Sequence, residues 1–408
     1  MLPVTINRKS FHMSAPLRVA LVGHGFMGAA HSQGWRVAPR FFDLAAQPEM
    51  SVLVGRDAGQ AAEAATRWGW AESSSDWRAV IDRPDIDVID IVTPGTSHAE
   101  IAIAALDAGK HVLCEKPLAN TVAEAEAMAD AAARAFDRGV YAMVGFTYRR
   151  IPAATLARDF VAAGKIGDIR QVRVNYLQDW LVDPQSPLTW RLQKELAGSG
   201  ALGDIGAHAI DLAQFITGQR LESVSGIIET IVKERPLLGA RQGLSGTGTA
   251  ERGLVTVDDL ALFTGRFEGG ALGSFEATRF CTGRKNSFRI EVSGSTGAIS
   301  FDLEDLNDLS FFDGNAASGQ QGFTKILVTE PQHPYLAAWW PPGHTLGYEH
   351  GFTHQARDFV EAISAGRQPT PSFADGLQVQ QVLAAVEASS NNGSAWTPTL
   401  TPVLAAQK

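Results

Sequence analysis

Two short stretches of the chain carry side chains that could handle a proton and a negatively charged oxygen. The first is Cys114-Glu115-Lys116-Pro117, which follows a short apolar run typical of a buried strand. A lysine at the end of such a strand can stabilise the alkoxide oxygen that develops when a hydride leaves an alcohol. The alternative is an ordinary solvated ion pair between Glu115 and Lys116.

The second stretch is a glycine-rich segment, residues 198–212, that runs into a predicted helix. Asp204 and His208 are four residues apart and share one face of that helix, with Asp211 three residues further on. The helix dipole favours a carboxylate near the helix start and disfavours an imidazolium, so we expect His208 to be a neutral base. The alternative is a structural one, because an aspartate that caps the helix beside a surface histidine has the same spacing. The glycines indicate close approach to the helix N-terminus and favour the catalytic interpretation.

A third motif predicts where a cofactor binds. Residues 23–28 contain Gly23, Gly25 and Gly28, with Phe26 and Met27 between the last two. They follow a predicted strand and precede a helix predicted to open at Ala29. In that context glycines permit a tight turn and close approach to a pyrophosphate, which indicates dinucleotide binding rather than a plain turn.

The phosphate state of the dinucleotide stays open at the end of the second predicted strand. An acidic residue is usual there, because it hydrogen-bonds the ribose 2′-hydroxyl of NAD. This chain has Gly55 at that position, followed by Arg56 and Asp57. Arg56 could pair with the 2′-phosphate of NADP or stack on adenine, and Asp57 could instead serve NAD.

The elements that must position these motifs divide the chain in two. From residue 17 to about 143, apolar strands alternate with Ala-rich helices, which predicts βαβ units on a parallel sheet. After residue 150 strands dominate, which predicts an α+β domain on a largely antiparallel sheet. We expect a flexible N-terminal tail at residues 1–16, a dinucleotide-binding domain at 17–147, and a substrate-binding and oligomerisation domain at 148–408. Predicted strands are 18–22, 51–54, 88–92, 111–114, 140–144, 169–176, 224–232, 258–267, 271–278 and 288–293. Predicted helices are 61–68, 98–108, 122–135, 153–163, 348–365 and 375–389.

Composition argues against several classes of binding partner. The 408 residues carry a net charge of −9, which argues against a surface that neutralises nucleic-acid phosphates. No apolar run reaches the roughly 18 residues of a membrane span. Two cysteines, Cys114 and Cys281, are too few for a disulfide framework, and no Cys/His group has metal-site spacing. We therefore expect a cytoplasmic protein that binds small molecules, without a metal, a nucleic acid or a membrane as partner.

Taken together, the motifs resemble those of the Gfo/Idh/MocA oxidoreductase family. The resemblance rests on the loop at 23–28, Thr93-Pro94 leading to His98, Glu115-Lys116-Pro117, and Gly203-Asp204 through His208. It implies an N-terminal Rossmann domain and a C-terminal α/β domain whose open sheet forms a dimer or tetramer. It further implies that Lys116, Asp204 and His208 are catalytic, with His208 as general base. Thr93, Pro94, His98 and Glu115 would line the cofactor path together with Lys116.

Aromatic segments of the C-terminal half resemble the branch of this family that acts on C3 of sugars. They are residues 176–180, 186–191 and 339–350. Aromatic rings beside amides and charges suit a pyranose, because its C–H faces stack while its hydroxyls are hydrogen-bonded. Each tryptophan could equally be a core or interface residue. The candidate substrate contacts are Arg149, Gln178, Asp179, Trp190 and His344.

The sequence thus predicts an NAD(P)-dependent dehydrogenase that oxidises a secondary hydroxyl of a pyranose, anhydrosugar, glycoside or cyclitol, with C3 favoured. The resemblance favours NAD, whereas Arg56 favours NADP. Two departures from the family pattern are Gly95, where asparagine is frequent, and Gly55, where NAD-dependent relatives often have an acid. Alternatives are an NADPH-dependent keto-sugar reductase, a non-catalytic nucleotide sensor, and a lyase that uses NAD as an internal redox relay.

Overall fold

The N-terminal part is built on a six-stranded parallel sheet with the strand order β3-β2-β1-β4-β5-β6. This order is that of a dinucleotide-binding Rossmann fold, as predicted. A computed structural model describes residues 16–242 and 245–399 of the chain, so the predicted tail falls almost wholly outside the described residues. The elements are β1 (Leu17–Val22), α1 (Phe26–Phe41), β2 (Pro48–Val54), α2 (Ala58–Trp68), β3 (Glu72–Ser74), α3 (Trp77–Ile81), β4 (Val88–Ile91), α4 (His98–Asp107), β5 (His111–Cys114), α5 (Val122–Phe136) and β6 (Ala142–Val144).

Side-chain caps explain where several of these helices begin. Helix α2 begins where the Asp57 carboxylate accepts the N–H of Gln60, and it ends at Gly69 in the left-handed conformation. A capping box between Thr121 and Glu124 starts α5. The sequence missed β3 and α3, because the Glu-Ser-Ser edge strand and the five-residue helix are too short for a periodic signal.

The C-terminal part is built on a nine-stranded sheet ordered β16-β15-β14-β13-β7-β12-β11-β8-β17. Among the described strands of this sheet, β7 and β12 alone pair in parallel, so the predicted mostly antiparallel sheet is confirmed. The elements are α6 (Pro152–Ala162), β7 (Ile169–Leu177), α7 (Lys194–Ala197), α8 (Ala207–Thr217), β8 (Leu221–Glu229), β9 (Glu234–Gln242), β10 (Ser245–Leu254), β11 (Leu260–Phe267), β12 (Leu272–Thr278), β13 (Ser287–Gly294), β14 (Gly297–Asp302), β15 (Asp308–Asp313), β16 (Phe323–Leu327), α9 (His350–Ser364), α10 (Phe373–Asn391) and β17 (Thr397–Pro398).

One face of this large sheet is covered by helices and the other face is open. Helices α6, α8 and α10 pack on the covered face. Along β11, buried and exposed residues alternate, as expected for a sheet with one covered face. The open face carries apolar side chains that are about half exposed, among them Ile227, Leu262 and Leu272. Strands β9 and β10 form a separate two-stranded hairpin.

The chain returns to its N-terminal part through α9, which packs against α1. The contact is close at Gly34, where a Cβ atom would lie 2.7 Å from the carbonyl oxygen of Phe352. The proposed boundary at residue 147 stays a prediction, and α9 lies beyond it in sequence. Within the two described ranges, no helix combines the length and apolar content that crossing a membrane requires.

Candidate active site

Lys116 leaves the carboxyl end of β5, the edge at which open parallel sheets bind ligands. The N–H of Glu115 donates to the Ile91 carbonyl (2.9 Å), and a cis peptide joins Lys116 to Pro117. The Lys116 ammonium donates to the backbone carbonyl oxygen of Asp204 at 2.6 Å and lies 3.5 Å from its carboxylate oxygen Oδ1. Two predicted catalytic residues from distant parts of the sequence therefore meet.

Asp204 lies in a wide π turn, Leu202–Gly206, that precedes α8 and His208. The sequence predicted one regular helix here, so the π turn is a difference, and such turns are frequent at functional sites. The Asp258 carboxylate fixes the preceding loop by accepting the N–H groups of Gly200 and Leu202, each at 2.7 Å. These two hydrogen bonds fix the backbone of the segment that leads to Asp204.

The charges around this cluster set the protonation states of Asp204 and His208. Burial lowers the pKa of His208 well below its usual 6.5, and the Lys116 ammonium lowers it further, although Asp204 acts in the opposite direction. Burial raises the pKa of Asp204, but neighbouring cations led by Lys116 bring it below its usual value. The site therefore presents a neutral imidazole beside an ammonium and a carboxylate.

Two tyrosines that sequence reasoning missed form a wall beside His208. The rings of Tyr148 and His208 lie 4.5 Å apart, and the hydroxyls of Tyr148 and Tyr176 are hydrogen-bonded at 2.7 Å. The Tyr176 hydroxyl also donates to Oδ1 of Asn286, which accepts a second bond from the Gln178 amide. The predicted substrate contact Gln178 is thereby linked, through hydrogen bonds of Asn286 and Tyr176, to the Tyr148 ring beside His208.

Arg279 is a third residue that the sequence did not reveal. Its side chain is fully buried, one terminal nitrogen donates to the Asp258 carbonyl (2.9 Å), and the other lies 3.7 Å from the Asp204 carboxylate. Within the described part of the chain, its Nε and Nη1 atoms have no hydrogen-bond acceptor. The signal was the arginine directly after the predicted strand 271–278. Because β12 runs parallel to β7, Arg279 and Gln178 leave the sheet at one edge.

The loop between β1 and α1 has the shape of a pyrophosphate cradle. Gly23 has a φ of +116°, which favours glycine, and a Cβ on Gly28 would lie 2.7 Å from the Gly23 carbonyl. A Cβ on Gly25 would meet nothing within 4 Å, so a ligand can approach this backbone. Phe26 is half exposed and Met27 partly buried at the same opening. These residues fit the dinucleotide that the motif predicts.

The ribose end of the cradle lacks a free carboxylate from the strand end. A Cβ on Gly55 would lie 2.2 Å from the His24 ring, so the histidine fills the space next to this glycine. One carboxylate oxygen of Asp57 caps α2 by accepting the N–H of Gln60 at 2.8 Å, and a contact of Asp57 with the ribose stays a prediction. Arg56 is exposed.

The loop after β4 is braced rather than open. His98 is buried, and its ring nitrogens contact the carbonyls of Thr93 (2.8 Å) and Pro117 (3.1 Å). It thereby ties the Thr93-Pro94 segment to the loop of Lys116, and a cofactor contact through its ring stays a prediction. A Cβ on Gly95 would lie 2.3 Å from the amide oxygen of Asn120, so an amide from another loop borders the position where relatives often have asparagine.

The remaining predicted substrate contacts have other partners. Arg149 makes two hydrogen bonds to the buried carboxylate of Asp211, at 2.6 and 2.8 Å, so Asp211 does not join Asp204 and His208 as its spacing suggested. Asp179 pairs with Lys285 at 2.8 Å. Trp190 is partly buried under the guanidinium of Arg191, and Nδ1 of the exposed His344 donates to the Pro341 carbonyl within its own turn. Their roles toward a substrate stay predictions.

A parallel sheet with this glycine loop, and a lysine, an aspartate and a histidine at its carboxyl edge, define a dinucleotide-dependent oxidoreductase. The sequence profile of the oxidoreductase family with an NAD-binding Rossmann fold matches residues 17–146, and that of the GFO/IDH/MocA C-terminal domain matches residues 155–300. The chain belongs to the Gfo/Idh/MocA oxidoreductase family, and its N-terminal domain is an NAD-binding Rossmann fold.

Relatives agree with this assignment along most of the chain. Levoglucosan dehydrogenase of Pseudarthrobacter phenanthrenivorans is 46% identical over 368 residues, which are 89% of this chain and 93% of that protein. An oxidoreductase domain protein from Kribbella flavida has a crystal structure with a TM-score of 0.91 and 61% identity, covering 95% of this chain and all of that one. A levoglucosan dehydrogenase solved with NADH and levoglucosan gives a TM-score of 0.88 at 43% identity, with the same coverage.

Proposed function

We propose that this protein is an NAD-dependent dehydrogenase that oxidises the C3 hydroxyl of a pyranose or anhydrosugar, with levoglucosan as the leading candidate. The observation that carries the proposal is the meeting of Lys116 and Asp204 at 2.6 Å beside a neutral His208, at the edge that also holds the glycine loop. The similarity to levoglucosan dehydrogenase over most of both chains supports the choice of sugar.

Three residues divide the proton chemistry. His208 accepts the hydroxyl proton, because a neutral imidazole has a free lone pair and the neighbouring ammonium opposes early protonation. Lys116 stabilises the alkoxide oxygen that develops as the C–H bond breaks. Asp204 orients the ammonium through its carbonyl and carboxylate oxygens.

The cofactor supplies the hydride acceptor, at C4 of its nicotinamide ring. Toward it, the chain contributes Gly25 and the start of α1 for the pyrophosphate, and Met27 and Thr93 at the opening between β1 and β4. A sugar between this opening and His208 would contact Gln178 and the Tyr148 wall.

Arg279 and Trp180 would form the side of the site that faces the sugar. Its buried guanidinium lies over the partly exposed Trp180 ring at 5.5 Å and faces the Asp204 carboxylate. It stabilises the charge on Asp204, while the Trp180 ring offers a stacking surface for a pyranose.

The direct test is hydride transfer from levoglucosan labelled with deuterium at C3. The proposal predicts NADH that contains the deuterium, and a ketone at C3. Formation of unlabelled NADH would move the oxidation to another carbon, and no NADH from any sugar of a panel would reject the proposal. Lys165→Met at an exposed site serves as a control for Lys116→Met.

A second candidate, an NADPH-dependent keto-sugar reductase, is favoured by the ribose end of the cradle. No carboxylate is directed there from Gly55, and Arg56 is exposed beside it. A relative from Actinomadura kijaniata, 30% identical over 56% of this chain, is a dTDP-3,4-didehydro-2,6-dideoxy-alpha-D-glucose 3-reductase. Comparing kcat/KM for NAD, NADP and their reduced forms with the same sugar pair separates the candidates.

We further propose that two copies of the chain associate through the open face of the large sheet in a cytoplasmic homo-oligomer. The half-exposed apolar side chains of Ile227, Leu262 and Leu272 support this, because such a patch is costly in water. The thiols of Cys114 and Cys281 are free, as suits a reducing compartment. Leu262→Glu should shift the mass measured by light scattering toward the monomer, whereas an unchanged mass would reject this interface.

A further inference from the structure

Three charged side chains lie buried directly behind the lysine of the active site. They come from three elements: His31 from α1, Asp90 from β4, and Glu115 from the turn after β5. The Nδ1 atom of His31 lies 2.9 Å from Asp90, and its Nε2 atom lies 3.0 Å from Glu115. All three residues are at most 4% exposed. We refer to them as the buried triad.

The geometry of the buried triad favours a charged imidazole. A neutral imidazole has one N–H and one acceptor nitrogen, but both ring nitrogens of His31 face carboxylate oxygens, so both donate when Asp90 and Glu115 are ionised. Burial opposes this charge, yet Asp90 and Glu115 together raise the pKa of His31 to about 10. The indole N–H of Trp35 donates to the same Asp90 carboxylate at 2.7 Å.

Glu115 connects the buried triad to the segment that carries Lys116. One of its carboxylate oxygens binds His31, and the other accepts the backbone N–H of Lys116 at 3.1 Å. A Cβ on Gly145 would lie 2.6 Å from the first oxygen, so the lack of a side chain at this glycine makes room for the carboxylate. The orientation of the Lys116 backbone is therefore coupled to the imidazolium.

We infer that His31 is a positioning residue, whose positive charge fixes Glu115 and thereby holds Lys116 in its working orientation against Asp204. The inference rests on the proposed role of Lys116. It adds that the reaction depends on a charge balance around the lysine: the carboxylates of Asp90, Glu115 and Asp204 are matched by the cations of His31, Lys116 and Arg279. Removing one charge of this set disturbs Lys116, whereas removing a matched pair of opposite charges does not.

Among the described residues around His31, no other titratable group takes over its charge. Burial raises the pKa of Cys114 at the end of β5 and of Tyr348 before α9, so both are neutral. Burial lowers the pKa of His98, whose ring nitrogens face backbone carbonyls and not carboxylates. On the α9 side, His31 faces the apolar ring of Phe352, 5.5 Å away.

The test compares His31→Gln with the double variant His31→Gln/Asp90→Asn. The single variant leaves one carboxylate of this set without a matching cation, and we expect kcat to fall at least about tenfold, since small displacements of reacting groups are costly. One carboxylate can regain neutrality by taking up a proton, so the lost kcat should recover as the pH is lowered. The double variant restores the charge balance and should recover to within about threefold of the wild type at neutral pH.

Trp35→Phe is the matched control, because it removes a buried hydrogen bond to Asp90 without changing any charge. It should lower the thermal stability but leave the pH profile of kcat unchanged. If His31→Gln does not unfold cooperatively, the double variant carries the test alone: a folded, active double variant supports the inference, and an inactive or unfolded one overturns it.

Other outcomes are equally decisive. Wild-type kinetics of His31→Gln, or a double variant at least as impaired as the single one, would assign the buried triad a merely structural role. A wild-type protein that oxidises no sugar would instead reject the proposed function, and the charge balance would then be judged from NAD affinity and thermal stability of the same variants.

Discussion

His31 and His208 both lie near carboxylates, yet at neutral pH His31 is a cation and His208 is neutral. His31 lies between two carboxylates, and its pKa is raised to about 10. His208 has one carboxylate nearby, but it also faces the ammonium of Lys116, and its pKa falls well below 6.5. Burial lowers the pKa of both rings. The number and sign of the neighbouring charges therefore decide which histidine is a fixed cation and which is a base.

The segment that carries Lys116 contacts both the buried triad and the active site around His208. The backbone of Lys116 is attached to the buried triad through Glu115, while its side chain suppresses protonation of His208. The buried triad holds a charge that does not change during turnover. In the active site, where the Asp204 side chain is 31% exposed, His208 is a base whose charge can change.

The largest expected effect comes from removing the ammonium with Lys116→Met. Turnover should fall by about 10³-fold or more, because both the stabilisation of the alkoxide and the orientation of the oxygen are lost. NAD binding should persist. In the residual activity, the acid limb of the pH profile should move to higher pH, since loss of the cation raises the pKa of His208. An acid limb that stays in place would contradict the electrostatic link between the two side chains.

An intermediate effect is expected in the pH dependence of stability. His31 has a folded-state pKa above its unfolded value of 6.5, so its contribution is complete below 6.5 and is lost as the pH rises through about 10. His208 has a folded-state pKa below 6.5, so its contribution is present above 6.5 and is lost as the pH falls. Each limb has a slope of at most about 1.4 kcal/mol per pH unit.

Denaturant titrations of two variants separate these limbs. His31→Gln should flatten the alkaline limb of the free energy of unfolding and leave the acid limb, whereas His208→Asn should do the reverse. The same limb flattened in both variants would mean that the two histidines do not differ as described.

The smallest effect is expected for Tyr148→Phe. The ring that packs on His208 remains, and Tyr176 keeps its hydrogen bond to Asn286. We expect a loss of about 1 kcal/mol of stability and less than about tenfold in kcat. The acid limb of kcat/KM should not move, because no charge near His208 changes. A shifted limb would show that the tyrosine wall, and not Lys116, controls the imidazole.

The sequence predicted what local patterns can encode. The apolar strand His111–Cys114 was predicted with its observed bounds, and the glycine loop with its strand and helix was recognisable from residues close together in sequence. The glycine- and polar-rich strands β9 and β10 and the short strands β14 to β16 were missed, because their patterns do not differ enough from those of loops.

Residues of the site were predictable only where they lie in one short sequence motif. Asp204 and His208 share a segment, and Lys116 lies in a motif of its own, but their roles still stay predictions. Arg279 and the buried triad depend on partners far apart in sequence, 59 and 84 residues for the two contacts of His31. The available signal was Asp90, a charge inside the apolar run Val88–Ile91, since a buried charge requires a partner.

The protonation states of the two histidines can be read directly from side-chain nitrogen shifts in protein labelled with ¹⁵N-histidine. The signals are assigned by their loss in His31→Gln and His208→Asn. At neutral pH the account predicts two protonated nitrogens on His31, and one protonated and one free nitrogen on His208. A neutral His31 or an imidazolium at His208 would contradict it.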